Sequence, residues 1–185
     1  ILVRPNGTYN MKCWVDADLA GNFGSKPNNN PKSCKSRYGC VITCRGVPLI
    51  WKSQLIKEIC LSTLHAEYVG LSQALRAMIP IRSLILDTLS QANLGNHEKP
   101  IMVCKVFEDN QGCYLLATKQ QLSVRTKYFS VKFHFFWQFV YHEERNPDGW
   151  LLIEPCDTAL MDADYLTKGL ARVKHEDNRR CVQGW

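Results

Sequence analysis

Thr8-Tyr9-Asn10-Met11-Lys12-Cys13-Trp14-Val15-Asp16-Ala17-Asp18 mixes alternating and β-favouring side chains and reads as a strand. It carries an acid, Asp16, in an otherwise apolar run. A carboxylate there must find a cation, hydrogen-bond donors or a metal, because its desolvation is costly unless it is paired. Residues 19–36 then break the strand: Gly21, Gly24 and Lys26-Pro27-Asn28-Asn29-Asn30-Pro31 supply turn chemistry and little apolar area. Two further strands are expected at 37–44 and 47–53, with Gly46 near the turn between them, which completes a three-stranded antiparallel meander.

From Ser62 the period changes. Leu64, Leu71, Met78 and Ile85 recur with Tyr68, Leu75 and Leu89 on the adjoining ridge, the pattern of an amphipathic helix that Pro80 should kink or divide. A buried-type strand is expected at 101–107, and Asp109-Asn110-Gln111 opens a helix ending near 118. An aromatic-rich helix over 126–143, a turn at Pro147-Asp148-Gly149, a strand over 150–154 and a helix over 162–170 follow. Three antiparallel strands followed by strands entered through helices make an α/β domain, a mixed sheet with helices packed on it.

The chain has 185 residues, 45% of them hydrophobic and 22% charged, so a single domain with a sizeable core is expected. Arg82 and Asp87 interrupt the richest apolar stretch, and no membrane association is expected. Nine cysteines cannot all pair; scattered through strand-like and helix-like segments, they read as reduced thiols and point to an intracellular setting. The opening Ile1-Leu2-Val3-Arg4 has neither an initiator Met nor a signal-peptide pattern, as in a piece of a longer polypeptide. Net charge is +6, and residues 1–60 hold nine Lys or Arg against three acids. A basic region of this kind suits either a phosphate-backbone footprint or a solvated surface.

Four acids stand at strand centres or element ends: Asp16, Glu67, Asp109 and Asp164. Helix starts favour acids for electrostatic reasons, which accounts for Asp164 cheaply; Asp16 has no such explanation. These acids sit in stretches that occur together elsewhere. Trp14-Val15-Asp16-Ala17-Asp18-Leu19-Ala20-Gly21, Ser36-Arg37-Tyr38-Gly39-Cys40-Val41-Ile42 and Ile50-Trp51-Lys52-Ser53-Gln54 are followed by Leu61-Ser62-Thr63-Leu64-His65-Ala66-Glu67-Tyr68. Asp109-Asn110-Gln111, Arg125-Thr126-Lys127 and Ala163-Asp164-Tyr165-Leu166-Thr167-Lys168 complete the set. In this order, from about residue 12 to 170, they resemble the ribonuclease H domain of copia-type (Pseudoviridae-like) LTR retrotransposon reverse transcriptases, within the Pol polyprotein.

The resemblance implies a ribonuclease H-like fold: a five-stranded mixed sheet, three antiparallel strands first, with helices packed on both faces. Residues 1–172 would form one domain, with 1–8 the end of a connection segment and 173–185 a C-terminal tail. It implies that Asp16, Glu67, Asp109 and Asp164 are a catalytic tetrad holding two Mg²⁺ ions, which Mn²⁺ can replace, and that the RNA strand of an RNA–DNA hybrid is hydrolysed. Asn110, Lys32, Lys35, Arg37, Arg125 and Lys127 are the candidate substrate contacts. The polymerase portion of the same polyprotein is the implied partner, and the cytoplasmic virus-like particle and the nucleus are the implied locations. A catalytically decayed domain that only binds nucleic acid is the alternative.

The sequence departs from the family at two positions that usually hold Glu and His and here hold His65 and Tyr128. No His stands in the loop 153–161 before the final acid, where many cellular relatives place one. Asp18 and Asp162, two residues from tetrad members, are competing ligands. His65-Ala66-Glu67 lacks the Pro-Cys-x-x-Cys that a zinc deaminase needs, and the spacing of Cys34, Cys40 and Cys44 suits small core side chains, so no structural zinc is expected. His134, between Phe133 and Phe135, reads as a packed histidine.

Overall fold

The computed structural model describes residues 10–23, 31–92, 102–124 and 126–183. The strands are β1 (Met11–Asp18), β2 (Arg37–Cys44), β3 (Val47–Leu55), β4 (Cys104–Glu108) and β5 (Leu151–Pro155), in the order β3-β2-β1-β4-β5. β1, β2 and β3 form the antiparallel meander, and β4 and β5 add in parallel. This is the ribonuclease H-like arrangement expected above.

β1 lies at the centre of the sheet and is covered on both faces. Cys13, Val15 and Ala17 point to one side, where the helix α1 (Thr63–Gln91) packs; Trp14 and Asp16 point to the other. The helix approaches closely because Gly70 has no side chain: a Cβ there would stand 3.1 Å from Tyr38 Cβ. Ser62 caps α1 by accepting the His65 N–H at 3.1 Å, and Tyr68, Leu71, Leu75 and Met78 are fully buried. Contrary to expectation α1 runs through Pro80 undivided. Pro80 lies on the exposed side, where water can serve the carbonyl it leaves unpaired. By length and composition α1 could cross a bilayer, but its buried side packs on the sheet and includes His65, Glu67 and Ser72.

The helix α2 (Gln111–Lys119) is capped by Asn110, whose Oδ1 accepts the Cys113 N–H at 3.0 Å. The aromatic stretch is a 3-10 helix over Val131–Phe139, shorter and tighter than the α-helix expected over 126–143. Phe133 and Phe136, the buried pair, stand three apart, which a three-residue turn places on one side. His134 is packed as read: Tyr68 Oη lies 2.7 Å from its Nδ1, and the Trp137 ring is 4.3 Å away.

The expected last helix at 162–170 is instead a single 3-10 turn, Asp164–Leu166, and the helix comes later as α3 (Arg172–Gln183). α3 takes up most of the stretch expected as a tail. It is polar nearly all round, so its sequence gives little sign of packing. Among its described residues only Asn178 and Val182, four apart, are buried, with Val182 beside Lys12, Trp14 and Thr43 on the sheet face opposite α1. Helices therefore cover both faces.

Candidate metal centre

Strand parity and one glycine bring the acids together. Asp16, fully buried, faces away from α1 and lies opposite Gly39 of β2 in the register. A Cβ on Gly39 would stand 2.7 Å from Leu166 Cβ and 3.1 Å from the Ala163 carbonyl oxygen. The turn bearing Asp164 therefore rests directly on the β2 backbone, and Asp164 arrives beside Asp16. Asp109 follows the end of β4, the parallel neighbour of β1. Glu67 comes from the second turn of α1, on the other face, and is buried.

Asp16, Asp109 and Asp164 each offer an oxygen, and the three oxygens lie within 4.8 Å of one another. Glu67 and Asp109 form a second such group with Glu108. The four acids expected from the sequence thus meet at one end of β1 and β4, in two groups joined by Asp109. Glu108 was not among the expected residues. Its signal was present: Cys104, Val106 and Glu108 alternate on the buried side of β4, so Glu108 is an acid at a core position, as Asp16 is. Asp18 turns back onto the chain, where its carboxylate fills the space a Cβ on Gly21 would take, and Asp162 lies in a separate cleft beside Lys12 and Trp14.

Burial and neighbouring charges raise the proton affinity of Glu67, Glu108 and Asp16. Glu67 is pushed up to about 10, first by burial and then by the charges of Glu108, Asp16 and Asp109. Glu108 is pushed up to about 8 by burial, against hydrogen bonds from the Asn110 N–H and the Cys113 thiol. Each keeps one carboxylate oxygen, Oε2, buried without a hydrogen-bond partner. Asp16 is raised by burial despite hydrogen bonds from Lys168 and Thr167. Hard oxygen donors, crowded and partly orphaned, fit a hard divalent cation. Cations of the chain itself already contribute: Lys168 Nζ donates to Asp16 Oδ1 at 2.8 Å and Asp164 Oδ1 at 3.1 Å, and Lys174 Nζ to Asp164 Oδ2 at 2.7 Å. Lys168 belongs to a motif quoted above, yet neither lysine was singled out.

Arg37 pairs with Asp18 in the sheet register and so stands at the same end as the acids; its guanidinium donates to Ser53 Oγ at 2.9 Å. Lys35 is half-buried and Lys127 exposed. Lys32 lies in the 3-10 turn Pro31–Cys34, the side-chain oxygen of Asn110 is engaged in capping α2, and Arg125 lies outside the described residues. The two departures from the family pattern meet in space: the His65 and Tyr128 rings pack edge to face at 5.2 Å.

No family model matches the chain. It is 29% identical over 166 residues to the retrovirus-related Pol polyprotein from transposon TNT 1-94 of Nicotiana tabacum. The chain is thus similar to one stretch of a retrotransposon Pol polyprotein. The match takes in 90% of this chain but 11% of that polyprotein, so the chain spans about a tenth of its relative's length. Among solved structures it is similar to LC11-RNase H1 isolated from compost, at 19% identity and a TM-score of 0.49, covering 96% of this chain and 95% of that one. RNase H1 from the halophilic archaeon Halobacterium salinarum NRC-1 gives 16% and 0.48, covering 91% and 98%. The strand order and register described above are what establish the fold.

Proposed function

We propose that the chain is an endoribonuclease that hydrolyses the RNA strand of RNA–DNA hybrids, as part of a retrotransposon reverse transcriptase. The observation that carries the reading is the meeting of Asp16, Glu67, Asp109 and Asp164 in two oxygen groups that share Asp109. Such a pair of groups suits two divalent cations, Mg²⁺ or in its place Mn²⁺. Asp16, Asp109 and Asp164 would hold one ion, and Glu67, Asp109 and Glu108 the other. When bound, the ions supply Lewis acidity toward the scissile phosphate and its attacking water.

The chain's own contribution is position and charge. β1 and β4 fix Asp16 and Asp109 on a rigid sheet, and the Gly39 contact fixes Asp164, so the donors are preorganised. Water attacks phosphorus in line, the bond to the 3′ oxygen breaks, and the products are a 5′-phosphate and a 3′-hydroxyl. Arg37, at the same sheet end, is the proposed contact to a backbone phosphate.

Substrate choice tests this reading. An RNA strand labelled at one end and paired with DNA should be cut internally to leave 5′-phosphates, whereas single-stranded RNA and duplex DNA should be poor substrates. Efficient cutting of duplex DNA would instead indicate a DNA nuclease built on the same acids. Hybrid binding without any cleavage would indicate a decayed, binding-only domain.

A further inference from the structure

The two halves of the acidic site are not equivalent, and two lysines make the difference. At the Asp16–Asp164 half every carboxylate oxygen has a partner. Asp16 Oδ1 and Asp164 Oδ1 both accept from Lys168, Asp16 Oδ2 accepts from the Thr167 hydroxyl, and Asp164 Oδ2 accepts from Lys174 at 2.7 Å. At the Glu67–Glu108 half one oxygen of each acid is buried and has none. An ion can enter the second half without displacing a side chain from those two oxygens. It can enter the first only where an ammonium leaves.

We propose that Lys168 is a built-in counterion that holds the Asp16–Asp164 half until a divalent cation displaces it, so that the Glu67–Glu108 half fills first and the lysine-held half second. The inference rests on the metal-centre reading above and adds an order of filling and the residue that sets it. Geometry favours exchange over a permanent bridge. The Asp16 side chain is fully buried, whereas the Lys168 side chain is 38% exposed, so the ammonium has a path to water and the carboxylate does not. Lys174 reaches in from α3 and also donates to the Thr158 carbonyl at 3.1 Å, so it keeps a partner if Asp164 turns to an ion. Lys168 has no second acceptor of that kind among its described contacts, which makes it the group that must move. The arrangement also keeps the crowded acids neutralised while no metal is bound.

Calorimetric titration of the whole chain with Mn²⁺, checked by the paramagnetic signal of free Mn²⁺, tests this without reference to cleavage. The wild type should show a tighter and a weaker step. Lys168→Met should strengthen the weaker step by about fivefold or more, the scale of a partly exposed ion pair, and leave the tighter one within about twofold. Lys168→Arg keeps the charge and should restore the weak step. Lys105→Met, which removes an equal charge from the remote pair with Glu154, should change neither step. In chelator Lys168→Met should melt below the wild type, and saturating Mn²⁺ should remove the difference. An unchanged or weakened second step in folded Lys168→Met would overturn the inference, as would equal strengthening by Lys105→Met. If neither wild type nor Lys168→Met binds Mn²⁺, the metal-centre reading itself fails; if only Lys168→Met binds, the lysine closes both halves and the proposed order of filling is overturned.

Discussion

The carboxylates of Glu67 and Glu108 lie within 4.8 Å of each other, one from α1 and one from β4, and each leaves an oxygen buried without a partner. Two acids so placed cannot both ionise cheaply, and this gives the metal-free protein a specific response to pH. Burial, and for Glu67 the charge of Glu108 beside it, hold protons on this pair well above the usual carboxylate range, whereas the unfolded chain releases both near 4.5. Across that window the unfolded state holds fewer protons, so stability falls as pH rises. Melting temperatures in chelator should therefore decline from pH 5 to pH 9. Glu108→Gln should flatten the decline, and a slope equal to wild type in that variant would show that Glu108 does not titrate with the cluster.

Asp109 belongs to both oxygen groups, so its loss should disable both. Asp109→Asn keeps the size, and Thr158 Oγ1, which donates to Asp109 Oδ2 at 2.8 Å, can donate to the new amide oxygen instead. Metal affinity and hybrid cleavage should fall together by about a hundredfold or more, with the melting temperature in chelator unchanged or higher. A folded Asp109→Asn protein with wild-type cleavage would remove this residue from the site. Asp18→Asn should be much milder than Asp16→Asn.

Gly39 is a packing requirement whose effect should reach the site. Gly39→Val would drive a branched side chain into Leu166 and the Ala163 carbonyl, and overpacking of this kind costs about 1–3 kcal/mol. Because the displaced turn carries Asp164, cation affinity should fall with stability. A stability loss with unchanged Mn²⁺ binding would show that the turn tolerates the shift.

Most of this architecture was legible in the sequence because it obeys local periods. The meander follows alternation, α1 follows a helical repeat, and Asp16 stands out as an acid in an apolar strand. What was not legible depends on tertiary contacts. α3 has almost no apolar stripe, so only the docked structure reveals that Asn178 and Val182 are buried. Glu108 was overshadowed by its neighbour Asp109, although strand parity marked it. Lys168 and Lys174 acquire a role only once the turn before α3 folds back over β1, a relation no spacing encodes. His65 and Tyr128 looked like separate departures until their rings were seen to touch.

The basic first third gives a further expectation. Lys32, Lys35 and Arg37 lie at the approach to β2, and Arg37 shares its sheet end with the acids. If they neutralise phosphates, replacing all three should flatten the salt dependence of hybrid affinity and weaken hybrids of different sequence about equally. An unchanged salt slope would assign these charges to solvation of the surface.

The most direct measurement is cleavage of an end-labelled RNA–DNA hybrid by the wild-type chain as Mg²⁺ is raised from zero, in parallel with chelator and with Glu67→Gln. RNA-strand cutting that rises with Mg²⁺, vanishes in chelator and is lost by about a hundredfold or more in Glu67→Gln is the expected result. Cutting that persists in chelator, or that Glu67→Gln performs as well as wild type, would contradict a metal-dependent ribonuclease centred on these acids.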